Sequence, residues 1–233
     1  MEVASQIWHG VFVDIGLPKD GVVVEIAPGY EPKIGNALAA IDFSGTIYLI
    51  EPDTVAAKEL AAIYRSILPN AKVVTVLKVM QELKLREDIP EKIDVVVASH
   101  PFDDMVMGSI ISLPNFFTLE KSGGLRLTPK IKKVYDSLTD EHYVNGVGET
   151  VKAWKDFLSK IKPSYFIASQ YPSTTLTMKG LTRRQNSGYA VMNLLKSSYK
   201  NVLLNEPQNM ALFPKADPRW WIVANMHYWL PAD

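Results

Sequence analysis

The sequence predicts a doubly wound α/β fold: a seven-stranded, mostly parallel sheet with an antiparallel last strand, covered on both faces as a three-layer αβα sandwich. Short apolar runs rich in β-branched residues recur along the chain and are continuous rather than alternating. Such runs are typical of strands that are buried on both faces. Segments with apolar residues at helical spacing lie between them, and this alternation of strands and helices favours parallel pairing.

The first five strands are the clearest elements. They are predicted at residues 22–26, 46–50, 72–77, 94–98 and 165–168. Helical spacing predicts helices over residues 33–41, 54–68 and 187–199. Asp53 or Thr54 is suited to cap the second of these helices.

The end of the chain predicts a change of strand direction. A sixth strand is expected over residues 201–204 and a seventh over residues 220–226. The segment between them contains Pro207, Pro214 and Pro218, which leave no room for a crossover helix. The seventh strand is therefore expected to run antiparallel to the sixth.

The length of 233 residues predicts a single domain over residues 1–233, with two additions. Residues 1–20 are expected to form an N-terminal helical extension, whose apolar face packs against the sheet or covers its ligand side. Residues 105–148 are expected to form an insertion or substrate cap, because they greatly exceed the usual length of a strand-to-helix loop.

The composition excludes several classes of function. Lysine plus arginine and aspartate plus glutamate balance at 25 each, so no basic field attracts nucleic acid or anionic membranes. A small-molecule partner is favoured; nucleic acid stays open but is not indicated by charge. The absence of cysteine excludes disulfides, thiolate metal sites and cysteine nucleophiles. With no signal-peptide pattern and no run of about 18 apolar residues, a cytoplasmic protein without a membrane segment is expected.

The strongest local signal is the turn after the first strand. Residues 22–26 lead directly into Ala27, Pro28, Gly29 and Tyr30, followed by a helix. A nucleoside cofactor needs the backbone to come close at such a turn, and glycine permits it. Glu51 stands at the tip of the second strand, 22 residues after Gly29, near the spacing of about 20 for an acid that binds ribose hydroxyls.

These residues resemble the class I S-adenosylmethionine-dependent methyltransferases, and the resemblance extends over residues 22–226. The first motif of that family, acid-x-Gly-x-Gly-x-Gly, is matched at Glu25, Ala27, Gly29 and Glu31, where the acid and the central glycine are kept. The resemblance implies S-adenosylmethionine as cofactor. It places Gly29 against the cofactor, Glu25 near the methionine amino group, and Glu51 on both ribose hydroxyls.

The resemblance also implies where the adenine lies. The family often carries a polar or acidic residue after the third strand, but this chain has none there. The adenine is then expected to rest on Pro52, Val79 and Met80.

The fourth strand ends in Ser99, His100, Pro101 and Phe102. This segment resembles the Asn/Asp/Ser-Pro-Pro-Tyr/Phe motif of amino methyltransferases, with His100 in place of the first proline. The resemblance implies that Ser99 and a backbone carbonyl hold the acceptor nitrogen beside the cofactor, while Phe102 packs against it. The His100 imidazole is suited to take a proton from the acceptor; the alternative is a packing or helix-start histidine.

The remaining polar residues have simpler interpretations. Asp103 and Asp104 are expected at a helix N-terminus rather than as acid–base catalysts. The other histidines lack paired ligand spacing, so no metal site is expected. Trp220 and Trp221 are expected to pack in the core or at its edge. Basic residues are expected on a solvated surface, the alternative being a rim for a phosphorylated or nucleic-acid substrate; they are Lys121, Arg126, Lys130, Lys132, Lys133, Lys179, Arg183 and Arg184.

The predicted function is methyl transfer, in line, to a nitrogen or oxygen of an unidentified substrate. Such a reaction needs positioning and exclusion of water more than side-chain chemistry, so few catalytic residues are required. One alternative is a protein of this fold that binds the nucleoside cofactor without catalysis. A second is an NAD(P)-dependent oxidoreductase, which the missing Tyr-x-x-x-Lys pair and missing Gly-x-Gly-x-x-Gly disfavour.

Overall fold

The computed structural model describes residues 3–113, 115–117, 127–204 and 217–228. Its strands are all five residues long and build one sheet. They are β1 (Val22–Ile26), β2 (Thr46–Ile50), β3 (Lys72–Val76), β4 (Val95–Ser99), β5 (Tyr165–Ser169) and β6 (Trp221–Asn225). The strand order is β3-β2-β1-β4-β5-β6.

The sheet topology confirms the predicted fold class. Strands β1 to β5 are parallel, and β6 runs antiparallel to β5. Strand β1 lies between β2 and β4, so the chain reverses its direction of travel across the sheet between these neighbours. Open α/β sheets bind ligands beyond the carboxyl ends of the strands at this switch point. The fold is therefore Rossmann-like, with the predicted antiparallel last strand.

The predicted sixth strand at residues 201–204 is wrong. Lys200–Val202 is a turn of 3₁₀-helix, and Leu203 makes one isolated antiparallel bridge with Ala224. Because the helical turn takes up the start of the segment, too few extended residues remain for a ladder. The sheet therefore has six strands within the described ranges. Pro207 and Pro214 lie outside the described residues, and Pro218 opens a 3₁₀ turn before β6.

The chain divides into two compact units. The first comprises residues 1–99, 157–169 and 199–233, and the second residues 100–156 and 170–198. The prediction of a single domain stays a prediction. The helices are α1 (Val3–Asp14), α2 (Lys33–Ala39), α3 (Thr54–Ile67), α4 (Phe102–Ile110), α5 (Pro129–Ser137), α6 (Asp140–Ile161), α7 (Thr174–Met178) and α8 (Thr182–Tyr199). None of these described helices has both the length and the apolar character needed to cross a bilayer.

The core of the first unit joins α1, α2 and α3 to one face of the sheet. Trp8, Val11 and Phe12 of α1 are fully buried in it. The ring of Trp8 meets that of Trp221 edge-on, with 4.9 Å between centroids. The N-terminal extension is therefore a helix, and its apolar face belongs to the core. The core position expected for Trp221 is confirmed.

The insertion predicted at residues 105–148 is largely helical where it is described. It includes most of α4, all of α5 and the start of α6. Pro114 and residues 118–126 lie outside the described residues, so the predicted role of the segment as a substrate cap stays a prediction.

Two glycines let β1 and β2 begin side by side. The Thr46 N–H donates to the Gly21 carbonyl at 2.9 Å, and the Lys72 N–H donates to the Gly45 carbonyl at 2.9 Å. A Cβ added at Gly45 would lie 2.0 Å from the Gly21 carbonyl oxygen. Only a residue without a side chain allows this approach.

We expect Gly45→Ala to lower the free energy of unfolding by about 3 kcal/mol or more, because a clash with backbone cannot be relieved by side-chain rotation. Gly148→Ala is the matched control. A Cβ at Gly148, in α6, would meet nothing within 4 Å, so that variant should gain about 0.5–1 kcal/mol from helix propensity. Urea denaturation measures both. Equal effects in the two variants would contradict the close approach.

Candidate functional site

The turn that follows β1 is open where the sequence predicts a ligand. Ala27 and Gly29 adopt left-handed backbone conformations, with φ of 50° and 64°. The Ala27 N–H donates to the Ile50 carbonyl at 3.0 Å, which continues the pairing of β1 with β2. A Cβ placed on Gly29 would meet no atom within 4 Å. The backbone of Gly29 therefore borders free space that a ligand can enter.

The Glu51 carboxylate is fixed against this turn. Its Oε2 accepts a hydrogen bond from the Gly29 N–H at 3.2 Å, and its Oε1 accepts one from the Asp53 N–H at 2.9 Å. The Glu51 N–H donates to the Val76 carbonyl at 3.1 Å, so the residue extends β2 alongside β3. An ionised carboxylate accepts about four hydrogen bonds. Glu51 is 5% exposed and keeps acceptor capacity for ligand hydroxyls.

A second contact joins the turns after β1 and β2. The Tyr30 hydroxyl donates to Asp53 Oδ2 at 3.3 Å, while Asp53 Oδ1 accepts from the Val55 N–H at 2.9 Å. The second of these bonds caps α3, so Asp53, one of the two predicted cap residues, is confirmed and Thr54 is not the cap. Because Tyr30 is 48% exposed, its ring stands at the surface beside the glycine turn.

Glu25 is buried behind the turn in a contact that the sequence did not reveal. The Tyr64 hydroxyl donates to Glu25 Oε2 at 2.6 Å and accepts from the Gly35 N–H at 2.9 Å. A Cβ at Gly35 would lie 2.8 Å from the Tyr64 ring, so the tyrosine requires this glycine. Tyr64 thereby links β1, α2 and α3.

Burial sets the ionisation of the two acids. The pKa of Glu25 is raised to about 8, mainly by burial and further by the charge of Glu51. The hydrogen bond from Tyr64 and the charge of Lys33 act in the opposite direction and lower this pKa. Burial also raises the pKa of Glu51, against the hydrogen bonds from Asp53 and Gly29. Groups with shifted pKa values cluster at functional sites, so this end of the sheet is a candidate site.

The predicted adenine contacts lie beyond the same edge of the sheet. Pro52 follows β2 and is half-buried, as is Val79. Met80 is 3% exposed and begins a 3₁₀ turn, Met80–Glu82. Pro28, within the glycine turn, is buried as well. The structure brings Glu25, Gly29 and Glu51 together, while contacts of Val79 and Met80 with an adenine stay predictions.

Ser99 ends β4 at the carboxyl edge. It lies in register with Ser169, the last residue of β5. The hydroxyl oxygens of both serines are buried, and neither has a hydrogen-bond partner within the described part of the chain.

In the second unit, His100 is held through both ring nitrogens. Its Nε2 lies 2.6 Å from the Tyr171 carbonyl oxygen, so this nitrogen carries the proton and donates. Its Nδ1 lies 3.3 Å from Asp103 Oδ1. Burial lowers the pKa of His100, but the hydrogen bond and the charge of Asp103 outweigh it, and the pKa is raised overall. This geometry favours the packing alternative over a proton-accepting role.

Asp103 is the centre of this cluster. Its Oδ1 accepts from Gln170 Nε2 at 2.7 Å, and its Oδ2 accepts from Arg184 Nε at 3.0 Å. Burial raises the pKa of Asp103, but His100, Arg184 and Gln170 together lower it to about 2. Asp103 and Asp104 lie in the first turn of α4, which confirms their predicted place at a helix start.

Arg184 corrects the prediction of a solvated basic surface. It is 4% exposed. Its guanidinium also contacts Asp104 Oδ1, donates to the Tyr135 hydroxyl at 2.7 Å and lies 5.3 Å from the centre of the Phe116 ring. A buried carboxylate such as Asp103 needs a counter-charge, and a single sequence gives no signal for this pairing.

The other residues of that basic set are exposed, half-buried or outside the described part of the chain. Arg183, Lys130, Lys132 and Lys133 are exposed and Lys179 is half-buried. Lys121 and Arg126 lie outside the described residues. The role of these residues as a substrate rim stays a prediction.

Phe102 lies inside the second unit. Its side chain is fully buried and meets the Trp154 ring edge-on, with 5.8 Å between centroids. Pro101 is buried at the start of α4. The Phe102 N–H donates to Gln170 Oε1 at 3.0 Å. Phe102 thus has a packing role in this conformation, and its predicted contact with an acceptor stays a prediction.

Several solved structures are similar to this chain at low sequence identity. A DUF574 family protein from Streptomyces avermitilis is 12% identical with a TM-score of 0.45, over 95% of this chain and 82% of that protein. The methyltransferase domain of METTL16 is 13% identical with a TM-score of 0.42, over 78% and 71%. The CcbJ methyltransferase from Streptomyces caelestis is 14% identical with a TM-score of 0.39, over 70% and 48%.

Two of these proteins are named as methyltransferases. The chain spans 48% of the CcbJ structure and 32% of that of PH0851. No protein-family profile and no curated protein sequence matches the chain. Similarity at this level assigns neither an activity nor a substrate, so function has to be inferred from the geometry of the site.

We expect the free energy of unfolding to fall between about pH 5 and pH 8, because folded Glu25 keeps a proton that the unfolded chain releases. The sign follows from a folded pKa of about 8 against an ordinary value of 4.5. Glu25→Gln should remove this part of the pH dependence. Urea denaturation across that range measures the pH dependence of the free energy of unfolding. The control is Glu59→Gln, at an exposed position of α3. Parallel profiles for both variants would exclude Glu25 as the titrating group.

We expect Asp103→Asn to lower the pKa of His100, because the variant removes the acceptor and the negative charge that face Nδ1. An NMR titration of the histidine ring protons measures this value. Asp136→Asn, at an exposed position of α5, is the control and should leave it unchanged. An unaltered His100 titration in Asp103→Asn would show that the ion pair does not form.

Proposed function

We propose that this chain is an S-adenosylmethionine-dependent methyltransferase that transfers a methyl group in line to a nitrogen or oxygen of a small acceptor. One observation carries the proposal: the Glu51 carboxylate at the tip of β2 accepts the Gly29 N–H of the open turn after β1. A backbone cradle beside a fixed carboxylate is the arrangement that recognises a nucleoside.

The residues at this edge of the sheet fit the cofactor. Glu51 would hold the ribose hydroxyls and the backbone of Gly29 would lie against the ligand. Glu25 would stand near the methionine amino group, and Ser99 beside the methyl. Pro52, Val79 and Met80 would contact the adenine. When bound, S-adenosylmethionine supplies a methyl group already activated by a positively charged sulfur.

The protein's own contribution is to orient the acceptor and to exclude water, which accounts for a site with few catalytic side chains. The balanced charge of the chain supports a small acceptor over nucleic acid. A cytoplasmic location belongs to the same proposal.

A second candidate is a protein that binds the cofactor without catalysis. The engagement of both His100 nitrogens favours it, because this imidazole is then not available as a base. A turnover assay with a labelled methyl donor and pools of small amines, alcohols and amides separates the two. Labelled product supports the enzyme, and its absence from every pool supports the binding protein.

We expect calorimetry to show that S-adenosylhomocysteine binds and that Glu51→Ala weakens it about 10- to 100-fold. Loss of hydrogen bonds to a charged acceptor costs about 1.5–3 kcal/mol. Glu59→Ala, an exposed acid on α3, is the matched control and should bind as the wild type does. The site assignment fails if Glu51→Ala leaves the affinity for S-adenosylhomocysteine unchanged, or if NAD binds and S-adenosylhomocysteine does not.

A further inference from the structure

In the first unit, four buried polar groups on α1, β4 and β5 have no hydrogen-bond partner within the described residues. They are the hydroxyls of Ser5, Ser99 and Ser169 and the indole N–H of Trp8, named here the polar cluster. Ser5, Trp8 and Ser169 are each fully buried. Buried polar groups in proteins are almost always paired with protein, water or ligand. The four groups are therefore available to hydrogen-bond a ligand.

The members of the polar cluster lie on one face of the sheet. Ser99 pairs in register with Ser169, and Ser169 pairs in register with Trp221. Side chains of residues in register leave a sheet on the same face. The Trp221 ring contacts the Trp8 ring of α1 at 4.9 Å. The two serines therefore project toward the face that α1 covers.

The cluster also lies at one edge of the sheet. Ser99 and Ser169 end β4 and β5, and Trp221 begins the antiparallel β6. Helix α1 ends at Asp14 and β1 begins at Val22. Because this connection is short, the end of α1 lies near the amino end of β1. The start of α1 then lies near the carboxyl ends of the strands. Ser5 precedes Trp8 by three residues, which places both on one side of α1.

The chemistry of the polar cluster favours an uncharged ligand. A serine hydroxyl both donates and accepts, whereas an indole N–H only donates. No member carries a charge, and an ion buried among them would lack a counter-charge. Amide and hydroxyl groups offer both an acceptor and a donor, so they satisfy this set. Glu25 pairs in register with Val97, two residues before Ser99, so the cluster lies one strand away from the glycine turn.

We propose that the polar cluster binds the uncharged amide or hydroxyl group of a small molecule. We assign this amide or hydroxyl group to the methyl acceptor, and this assignment rests on the proposed function. The reason is that Ser99 ends the strand where the acceptor is expected. The acceptor is then a neutral molecule rather than a carboxylate, a phosphate or an ammonium compound.

The indole N–H of Trp8 reports binding without any need for turnover. It is assigned in a ¹⁵N-correlated NMR spectrum by its loss in Trp8→Phe. Acetamide is the neutral probe, and acetate and ethylammonium are its charged counterparts. We expect acetamide to shift the Trp8 signal saturably and the ions to leave it in place. The Trp154 indole, which donates to Met105 Sδ at 3.3 Å, is the internal control.

Ser169→Ala tests the serine side of the polar cluster. We expect acetamide to bind this variant roughly 3- to 10-fold more weakly, the loss of one hydrogen bond. We also expect its melting temperature to rise, because an unpaired buried hydroxyl is removed. Ser187→Ala is the matched control: its hydroxyl is buried and donates to the Arg184 carbonyl at 2.6 Å, so its loss should lower the melting temperature.

Two results would overturn the proposal. One is a Trp8 signal that acetamide does not move, or that acetate moves equally. The other is a lower melting temperature in Ser169→Ala, which would reveal a protein partner for the hydroxyl. Failure of the proposed function appears separately, as absent binding of S-adenosylhomocysteine. Acetamide binding in that case supports the polar cluster as a neutral-ligand site and overturns its assignment to a methyl acceptor.

Discussion

The candidate site depends on one hydrogen-bonded carboxylate. Glu51 accepts N–H groups from Gly29 and from Asp53, and so fixes the chain that leaves β1 to the chain that leaves β2. The turn after β1 does not have this conformation by local preference alone, since Ala27 lies in the left-handed region that non-glycine residues rarely adopt. The carboxylate is thus a structural bridge between the two turns, and in the proposed function its remaining acceptor positions bind the ligand.

Glu25, the acid behind the turn, is bound by a side-chain hydroxyl rather than by backbone N–H groups. Glu25 is buried and accepts a hydrogen bond from the Tyr64 hydroxyl. Burial favours its neutral form at physiological pH, so the site contains one acid that is mostly uncharged beside another that lies closer to the surface. Gly35 makes the arrangement possible, because any side chain there would displace the tyrosine. The Tyr64 hydrogen bond that this glycine permits opposes the rise in the pKa of Glu25.

In the second unit, a buried network of charged and polar groups joins α4 to α8. Asp103 is buried with Arg184, His100 and Gln170 around it. A buried ion pair stabilises little by itself but is costly to break, since either partner left alone is an uncompensated charge. His100 has a left-handed backbone conformation, with φ of 61°. Proline cannot adopt this conformation, because its ring fixes φ at about −65°.

The sequence by itself determined the local elements and their order. Continuous apolar runs predict strands, and the predicted bounds of β1 and β2 agree with the structure to the residue. The agreement is close because a strand that is buried on both faces needs apolar side chains at successive positions, and this pattern is visible in the segment itself. The spacing of Gly29 and Glu51 predicted one site, since both follow neighbouring strands. Only the tertiary structure decided the rest: Tyr64 meets Glu25 across 39 positions, and Arg184 meets Asp103 across 81. Such pairs leave no periodic trace, because nothing local links a buried charge to a partner brought beside it by folding.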